Sequence, residues 1–254
     1  MNDNRSQLSD GFPVVRTAGV NGMLVSFGDQ LAEASNRAAL AFRGALEEAH
    51  VEGVGETATS LASVFVRFDP LAISHQRIEG VLQDLLATRD WSAAPLPSGR
   101  RLWRVPTVYG TDLAPQLDEA AEAAGLGRDE AIERLGTSRV RVLTIGFAPG
   151  QPYLGPLGPE WNLPRLQELT PMVPRGALVL AISQFVLFAG PTPTGWRHVG
   201  QTAFRCFRPE SDAPIALRPG DEMIFEPVDR ATYDRLSASD ATGDGGATRT
   251  EIAP

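Results

Sequence analysis

The stretch ALVLAISQFVLFA at residues 177–189 holds two short apolar runs, one on each side of Ser183 and Gln184. Apolar runs of this length, bounded by turn residues, are typical of buried β-strands. Similar runs, separated by Pro- and Gly-rich turns, continue through residues 139–228 without a helical period. With the strand WRVPTVYG and two short helices before them, they predict a mainly-β barrel or sandwich over residues 102–229.

The preceding part, residues 12–90, has a different pattern. Four apolar runs and two segments of helical period alternate in the order β-β-α-β-β-α. The last segment is the clearest, because one apolar stripe runs along it from Ile78 to Leu86. This order predicts a small α+β sandwich, with one sheet and two helices over it.

Three segments lack apolar periodicity. Residues 91–101, WSAAPLPSGRR, are rich in Pro, Ser and Gly and are predicted to form a linker. Residues 1–11 and 230–254 are predicted to be disordered, because they have too few apolar residues to form a core.

Composition excludes several partners and chemistries. The 254 residues carry a net charge of −8, which disfavours nucleic acid as a partner. Every basic residue is Arg, so the chain cannot form a lysine-dependent phosphate loop or attach biotin. If ATP is used, another chain must supply such a loop.

The cysteine and histidine content predicts that the protein resides in a reducing compartment and that the chain has no metal site. A single cysteine, Cys206, allows no internal disulfide, and three widely separated histidines do not have the spacing of a zinc site. The polar N-terminus has no apolar signal segment, and no apolar run is long enough to span a membrane. We therefore expect a cytoplasmic protein that does not contact a membrane.

The segment GFAPGQPYLG, residues 146–155, is the leading candidate for a binding loop. Its three glycines allow close approach of a ligand, and its two prolines hold one shape. An ordinary barrel corner is the alternative interpretation. As a binding loop it would be shaped by Gly150, Gln151 and Tyr153.

Four residues outside this loop complete the candidate set. Arg165 could clamp an anion, although an isolated Arg is often a solvated surface residue. Gln184 could recognise an amide or be satisfied in the core. Trp196 would form an apolar wall, and His198 is a distant candidate for a general base, because a histidine on a core face is usually structural.

Several motifs in order resemble one protein family. They are GMLVSFGD, SVFVRFDP, VPTVYGTDL, GFAPGQPYLG, NLPR, VPRGALVLAISQ, PTGWRHVGQT and RPGDEMIFEP. The same order and similar spacing occur in the carboxyltransferase subdomain C/D family. That family includes the B-type subunit of bacterial 5-oxoprolinase, allophanate hydrolase subunit 1, a segment of urea carboxylase and a sporulation kinase inhibitor.

The resemblance implies a ferredoxin-like N-terminal domain and a cyclophilin-like β-barrel. It also implies a hydrolase component that acts on a cyclic or linear amide, together with a related C-type subunit and often a third, lactam-binding chain. In the 5-oxoprolinase case the assembly uses ATP to open 5-oxoproline to glutamate. An allophanate hydrolase or urea carboxylase-type subunit, and a non-catalytic inhibitor of a histidine kinase, are the alternatives.

The chain departs from the family pattern at three positions. Leu135 stands where a His is usual, Gln151 where a Phe is usual, and Phe185 where the Thr of a Gln-Thr-Gly segment is usual. If the usual residues handle substrate in relatives, these changes alter the activity, its substrate, or both.

Overall fold

The computed structural model describes Leu8 and residues 11–253. The chain divides into two compact units, residues 1–98 and residues 99–254. Most of the predicted disordered segment 1–11 lies outside the described residues. Among the residues that are described, no helix has both the length and the apolar composition that crossing a bilayer requires.

The first unit is one antiparallel sheet with two helices. Its sheet has the strand order β1-β2-β4-β3, and each neighbouring pair is antiparallel. The elements are β1 Val14–Thr17, β2 Gly22–Ser26, α1 Glu33–Glu48, β3 Val54–Ser60, β4 Ser63–Phe68 and α2 His75–Leu86. This succession is the predicted β-β-α-β-β-α order.

The core of the first unit lies where the helices meet the sheet. Cross-strand pairs such as Val25 and Val64 are fully buried. Ile78 and Leu82 of α2 are also fully buried, as expected for the apolar stripe. The helix begins after Ser74, whose hydroxyl accepts a hydrogen bond from the backbone N–H of Arg77.

The second unit contains a closed seven-stranded barrel. Its strands follow the order β12-β9-β10-β7-β6-β13-β5, and β12 pairs with β5 to close the ring. All neighbours are antiparallel except β13 and β5, which are parallel. The barrel strands are β5 Arg101–Tyr109, β6 Val140–Ile145, β7 Pro152–Gly155, β9 Ala177–Ala181, β10 Gln184–Leu187, β12 Arg197–Thr202 and β13 Glu222–Pro227.

The other elements of this unit lie around the barrel. The helices α3 and α4 precede β6, and a two-stranded sheet pairs β8 with β11. Their bounds are α3 Leu117–Ala123, α4 Arg128–Thr137, β8 Thr170–Val173 and β11 Thr192–Thr194, with a 3-10 turn at Pro159–Trp161. The predicted barrel with few helices is confirmed.

The strand Ala177–Ala181 is apolar throughout because both of its faces are covered. Leu178 and Leu180 point into the barrel core, whereas Val179 belongs to a second apolar cluster on the outer face. A strand buried on one face would alternate apolar and polar residues instead. The outer cluster shows that another layer of chain covers this side of the barrel.

The predicted linker is shorter than residues 91–101. Trp91 is buried in the core of the first unit, where its ring lies 5.2 Å from that of Phe42 and its Nε1–H donates to the carbonyl of Leu86. Arg101 already belongs to β5. The boundary between the units falls between Ser98 and Gly99.

The prediction of disorder over residues 230–254 was wrong. Helix α5, Arg230–Ser239, follows Asp229, whose carboxylate accepts a hydrogen bond of 2.7 Å from the backbone N–H of Thr232. Strand β14, Thr248–Glu251, pairs with β5. These elements bury few side chains and are held by hydrogen bonds, so they leave no apolar period in the sequence.

The tight turn between β9 and β10 holds Ile182 in a left-handed conformation, with φ of 46°. A β-branched side chain is strained there, whereas Asn tolerates it. We expect Ile182→Asn to raise the unfolding free energy by about 1 kcal/mol in urea denaturation. Ile182→Val keeps the β-branch and should give no gain; an equal gain for both variants would contradict this explanation.

Candidate functional site

A cavity of about 320 Å³ lies on the outer face of the barrel, above the second apolar cluster. Three loop or edge segments form its walls, and strand β10 contributes to its floor. The lining residues are Phe147, Gln151, Tyr153, Arg165, Leu166, Leu169, Val186, Phe188, Thr192, Pro193, Thr194, Gly195 and Trp196.

The Gly/Pro loop between β6 and β7 forms the first wall. Gln151 closes the loop, because its carbonyl accepts from Gly146 and its N–H donates to the carbonyl of Ala148. Gly150 has φ of +72°, and a Cβ atom there would lie 2.7 Å from the carbonyl oxygen of Cys206. Only glycine fits this close approach, so Gly150 seats the loop without itself lining the cavity.

Two side chains of this loop face the cavity. Gln151 is 2% exposed, and its Oε1 accepts a hydrogen bond of 3.4 Å from the backbone N–H of Ala189. No hydrogen bond from its amide nitrogen is found among the described residues, so this group can donate to a ligand. The ring of Tyr153 lies edge-on to that of Trp196, with the centroids 6.3 Å apart.

Arg165 and Trp196 form the charged side of the cavity. The guanidinium carbon of Arg165 lies 5.5 Å from the centroid of the Trp196 ring. Trp196 is 7% exposed, whereas Arg165 is exposed. No carboxylate of the described residues pairs with Arg165, so its charge is free for an anion.

Gln184 and His198 do not line the cavity. His198 is 4% exposed, and its Nε2 has no hydrogen-bond partner among the described residues. Burial lowers the pKa of His198, which keeps the ring neutral near pH 7. Because it does not reach the cavity, this histidine is not placed to act as a general base there.

Gln184 shares the outer face of β10 with Val186 and is 6% exposed. No hydrogen bond to its side-chain amide is found among the described residues. An amide that makes no protein hydrogen bond adds little stability at a nearly buried position, whereas a leucine there would bury more apolar surface. We expect Gln184→Leu to raise the unfolding free energy by about 1 kcal/mol in urea denaturation. Gln184→Glu should lower it, and a loss of stability in the leucine variant would show that the amide is satisfied.

Several lining residues escaped the sequence analysis. Phe147 is 79% exposed at the cavity mouth and has φ of 71°. Thr192 and Thr194 bring hydroxyl groups to the opposite wall. Phe147 lies inside the segment already noted for Gly and Pro, whereas the sequence around Thr192 and Thr194 gave no signal that these hydroxyls face a cavity.

Only one of the three departures from the family pattern lies in the cavity. Gln151 is part of its lining. Leu135 is fully buried in the core of the second unit. Phe185 points into the barrel, where its ring lies 5.6 Å from that of Phe225. The latter two substitutions therefore replace polar residues at positions that pack in the interior.

Cysteine and metal chemistry have no support in this region. Burial raises the pKa of Cys206 to about 12, so the thiol stays protonated near neutral pH. Within the described residues, no group of three His, Cys, Asp or Glu side chains is arranged to hold a metal ion.

The sequence model of the family described as "Carboxyltransferase domain, subdomain C and D" matches residues 13–217. The match spans both units and includes the cavity. The chain belongs to this family. The resemblance noted in the sequence is thereby confirmed.

Two similar proteins share most of the length of this chain. The B-type subunit of 5-oxoprolinase from Bacillus subtilis (strain 168) is 29% identical over 227 residues, which cover 86% of this chain and 94% of that protein. The solved structure of TTHA0988 has a TM-score of 0.68 at 28% identity; the match covers 85% of this chain and 40% of that one.

A more distant structure supports the fold alone. The urea carboxylase of Kluyveromyces lactis gives a TM-score of 0.70 at 20% identity. That match covers 97% of this chain and 24% of the carboxylase. The fold of this chain thus also occurs as part of a longer chain.

Proposed function

We propose that this chain is the B-type subunit of an ATP-dependent enzyme that opens the lactam ring of 5-oxoproline to give glutamate. The proposal is supported by the B. subtilis relative, the B-type subunit of 5-oxoprolinase, which this chain matches over 94% of its length. It is also supported by the cavity, whose lining complements the three chemical parts of 5-oxoproline.

The observation that carries the proposal is the unpaired Arg165 guanidinium beside an apolar wall. A carboxylate would bind Arg165 through charge-assisted hydrogen bonds. The five-membered ring would lie against Trp196 and Val186, and its amide would face the Gln151 side chain. The cavity of about 320 Å³ exceeds what such a small molecule fills, so it leaves room for a group from another chain.

The cavity does not fit ATP. Arg165 is its one cationic lining residue, and a triphosphate needs several cations or a loop of backbone N–H groups. The sequence also has no lysine for a phosphate loop. We therefore assign ATP binding and phosphoryl transfer to a partner protein.

The catalytic groups are assigned to a partner as well. Among the lining residues, only tyrosine and threonine hydroxyls could transfer a proton, and no base lies beside them to activate a nucleophile. In this division of work, the present chain binds the carboxylate and orients the lactam. A related C-type subunit supplies the rest of the site, with a third lactam-binding chain where one exists.

The fold proposal follows the same family. The sheet order β1-β2-β4-β3 is that of a circularly permuted ferredoxin-like sheet. Strand β1 takes the place that the last strand of the chain has in the usual order. The closed barrel of the second unit, with its site on the outer face, is of the cyclophilin-like type. Both names remain proposals.

The test is turnover by the purified assembly. This chain, co-purified with a C-type protein of the same organism, should release ADP only when 5-oxoproline is added. Release that requires urea and a biotin-carrying partner would instead assign the chain to the urea carboxylase branch. No release with either substrate, together with inhibition of a neighbouring histidine kinase, would replace the enzyme by an inhibitor.

A further inference from the structure

Arg165 and Trp196 face each other across two chain segments that run antiparallel. On one side of the pair, the backbone N–H of Leu166 donates a hydrogen bond of 2.7 Å to the carbonyl of Gly195. In antiparallel strands, two directly facing residues that share no backbone hydrogen bond are flanked on both sides by residues that do. Their side chains are then close, as the stacking of Arg165 on Trp196 requires.

On the other side of Arg165 and Trp196, a side chain replaces the backbone N–H as the donor that links the two segments. Nη1 of Arg197 donates to the carbonyl of Pro164 over 2.7 Å. The same guanidinium donates through Nε to Glu119 of α3, at 3.1 Å. Arg197 directly follows Trp196 and Pro164 directly precedes Arg165, so this bond fixes both partners of the stack through their chain neighbours.

We propose that Arg197 is the positioning residue of the anion end of the cavity: it holds the segment of residues 164–170 so that Arg165 stays over Trp196. The identity of the substrate rests on the proposed function. That Arg197 holds residues 164–170 in place does not depend on it. Arg197 itself does not line the cavity.

The burial of Arg197 supports a specific role. Its side chain is 9% exposed, and a buried charge is retained only where its partners compensate for lost hydration. The planar guanidinium reaches a carboxylate and a carbonyl at the same time, which an ammonium group cannot do with the same geometry. The far end of the held segment has its own tie, because the Gln116 amide donates to the hydroxyl of Thr170 over 3.4 Å.

Hydrogen–deuterium exchange of the full chain tests the geometric content without any ligand. In Arg197→Met, the amides of residues 165–170 should exchange roughly tenfold faster than in the wild type, while the barrel strands keep their protection. Arg197→Lys, which keeps the charge near Glu119, should be intermediate and serves if the methionine variant does not fold. Unchanged exchange of this segment in both variants would overturn the proposal.

A double-variant comparison in the assembly tests the functional content. Arg197→Met should raise the KM for 5-oxoproline about tenfold and change kcat much less. In an Arg165→Met background, the same change should add little, because Arg197 acts through Arg165. Independent, multiplicative effects would show that Arg197 does not act through Arg165 and would also overturn the proposal.

Arg134→Met is the control for the loss of an arginine that makes ion pairs elsewhere in the unit. Arg134 also makes two ion pairs in this unit, with Glu130 and Glu160, but it does not line or flank the cavity. It should leave both exchange of residues 165–170 and KM unchanged. If the wild-type assembly shows no turnover of 5-oxoproline, the proposed function fails, and the exchange experiment alone decides whether Arg197 positions the segment.

Discussion

An Asp221→Ala variant is expected to lose about 3–5 kcal/mol of unfolding free energy. Asp221 is 1% exposed and is fully used by its partners. Its Oδ1 accepts from the backbone N–H of Arg101, and its Oδ2 accepts from the backbone N–H of Arg218 and from Nη2 of Arg101. Alanine removes all of these bonds at once and leaves the mostly buried guanidinium of Arg101 without its counter-charge.

Urea denaturation of Asp221→Ala and Glu226→Ala compares the unfolding free energy lost with a buried ion pair and with an exposed one. Glu226 pairs with Arg104, but both side chains are almost half exposed, so its loss should cost less than about 1 kcal/mol. Both pairs join β5 to β13 or to the turn before it. Equal losses for the two variants would show that Asp221 does not anchor the barrel in the way its contacts indicate.

An Arg165→Met variant is expected to raise the KM of the assembly for 5-oxoproline about ten- to a hundredfold. Among the described residues that line the cavity, Arg165 carries the only positive charge. Methionine keeps the apolar length over Trp196 but cannot bind a carboxylate. Because Arg165 is exposed and makes no ion pair with the described residues, stability should change by less than about 0.5 kcal/mol.

Arg175→Met is the control for general charge effects. Arg175 is also exposed and lies in the same barrel unit, but it is not part of the cavity lining. It should leave KM and kcat unchanged. If Arg165→Met lost as much unfolding free energy as binding free energy for the substrate, Arg165 would have a structural role instead.

The sequence predicted those elements that bury an apolar stripe or run. Helix α2 was recognised from Ile78 to Leu86, and the run at residues 177–189 correctly predicted two strands. Helix α5 has no buried residue, and all of β14 is exposed, so neither element has an apolar pattern from which it could be predicted. Their stability comes from caps and from pairing with β5, which depends on contacts distant in sequence.

The sequence predicted which segments form the candidate site better than it predicted which side chains face the cavity. The Gly/Pro composition of residues 146–155 pointed to the loop that forms one wall of the cavity. It could not tell that Gly150 would pack beneath the loop while Phe147 would reach the mouth, because that depends on φ at single positions. The contact between Arg165 and Trp196 joins segments about 30 residues apart and becomes visible only in three dimensions.

Equilibrium titration of 5-oxoproline tests the central claim most directly, which is that this chain binds the substrate carboxylate through Arg165 in a cavity completed by a partner. Heat of binding is measured with the wild-type assembly, with this chain alone and with an assembly that carries Arg165→Met. The account predicts binding to the wild-type assembly that is at least about tenfold tighter than to either of the others. Equal affinity of the wild-type and Arg165→Met assemblies would contradict it.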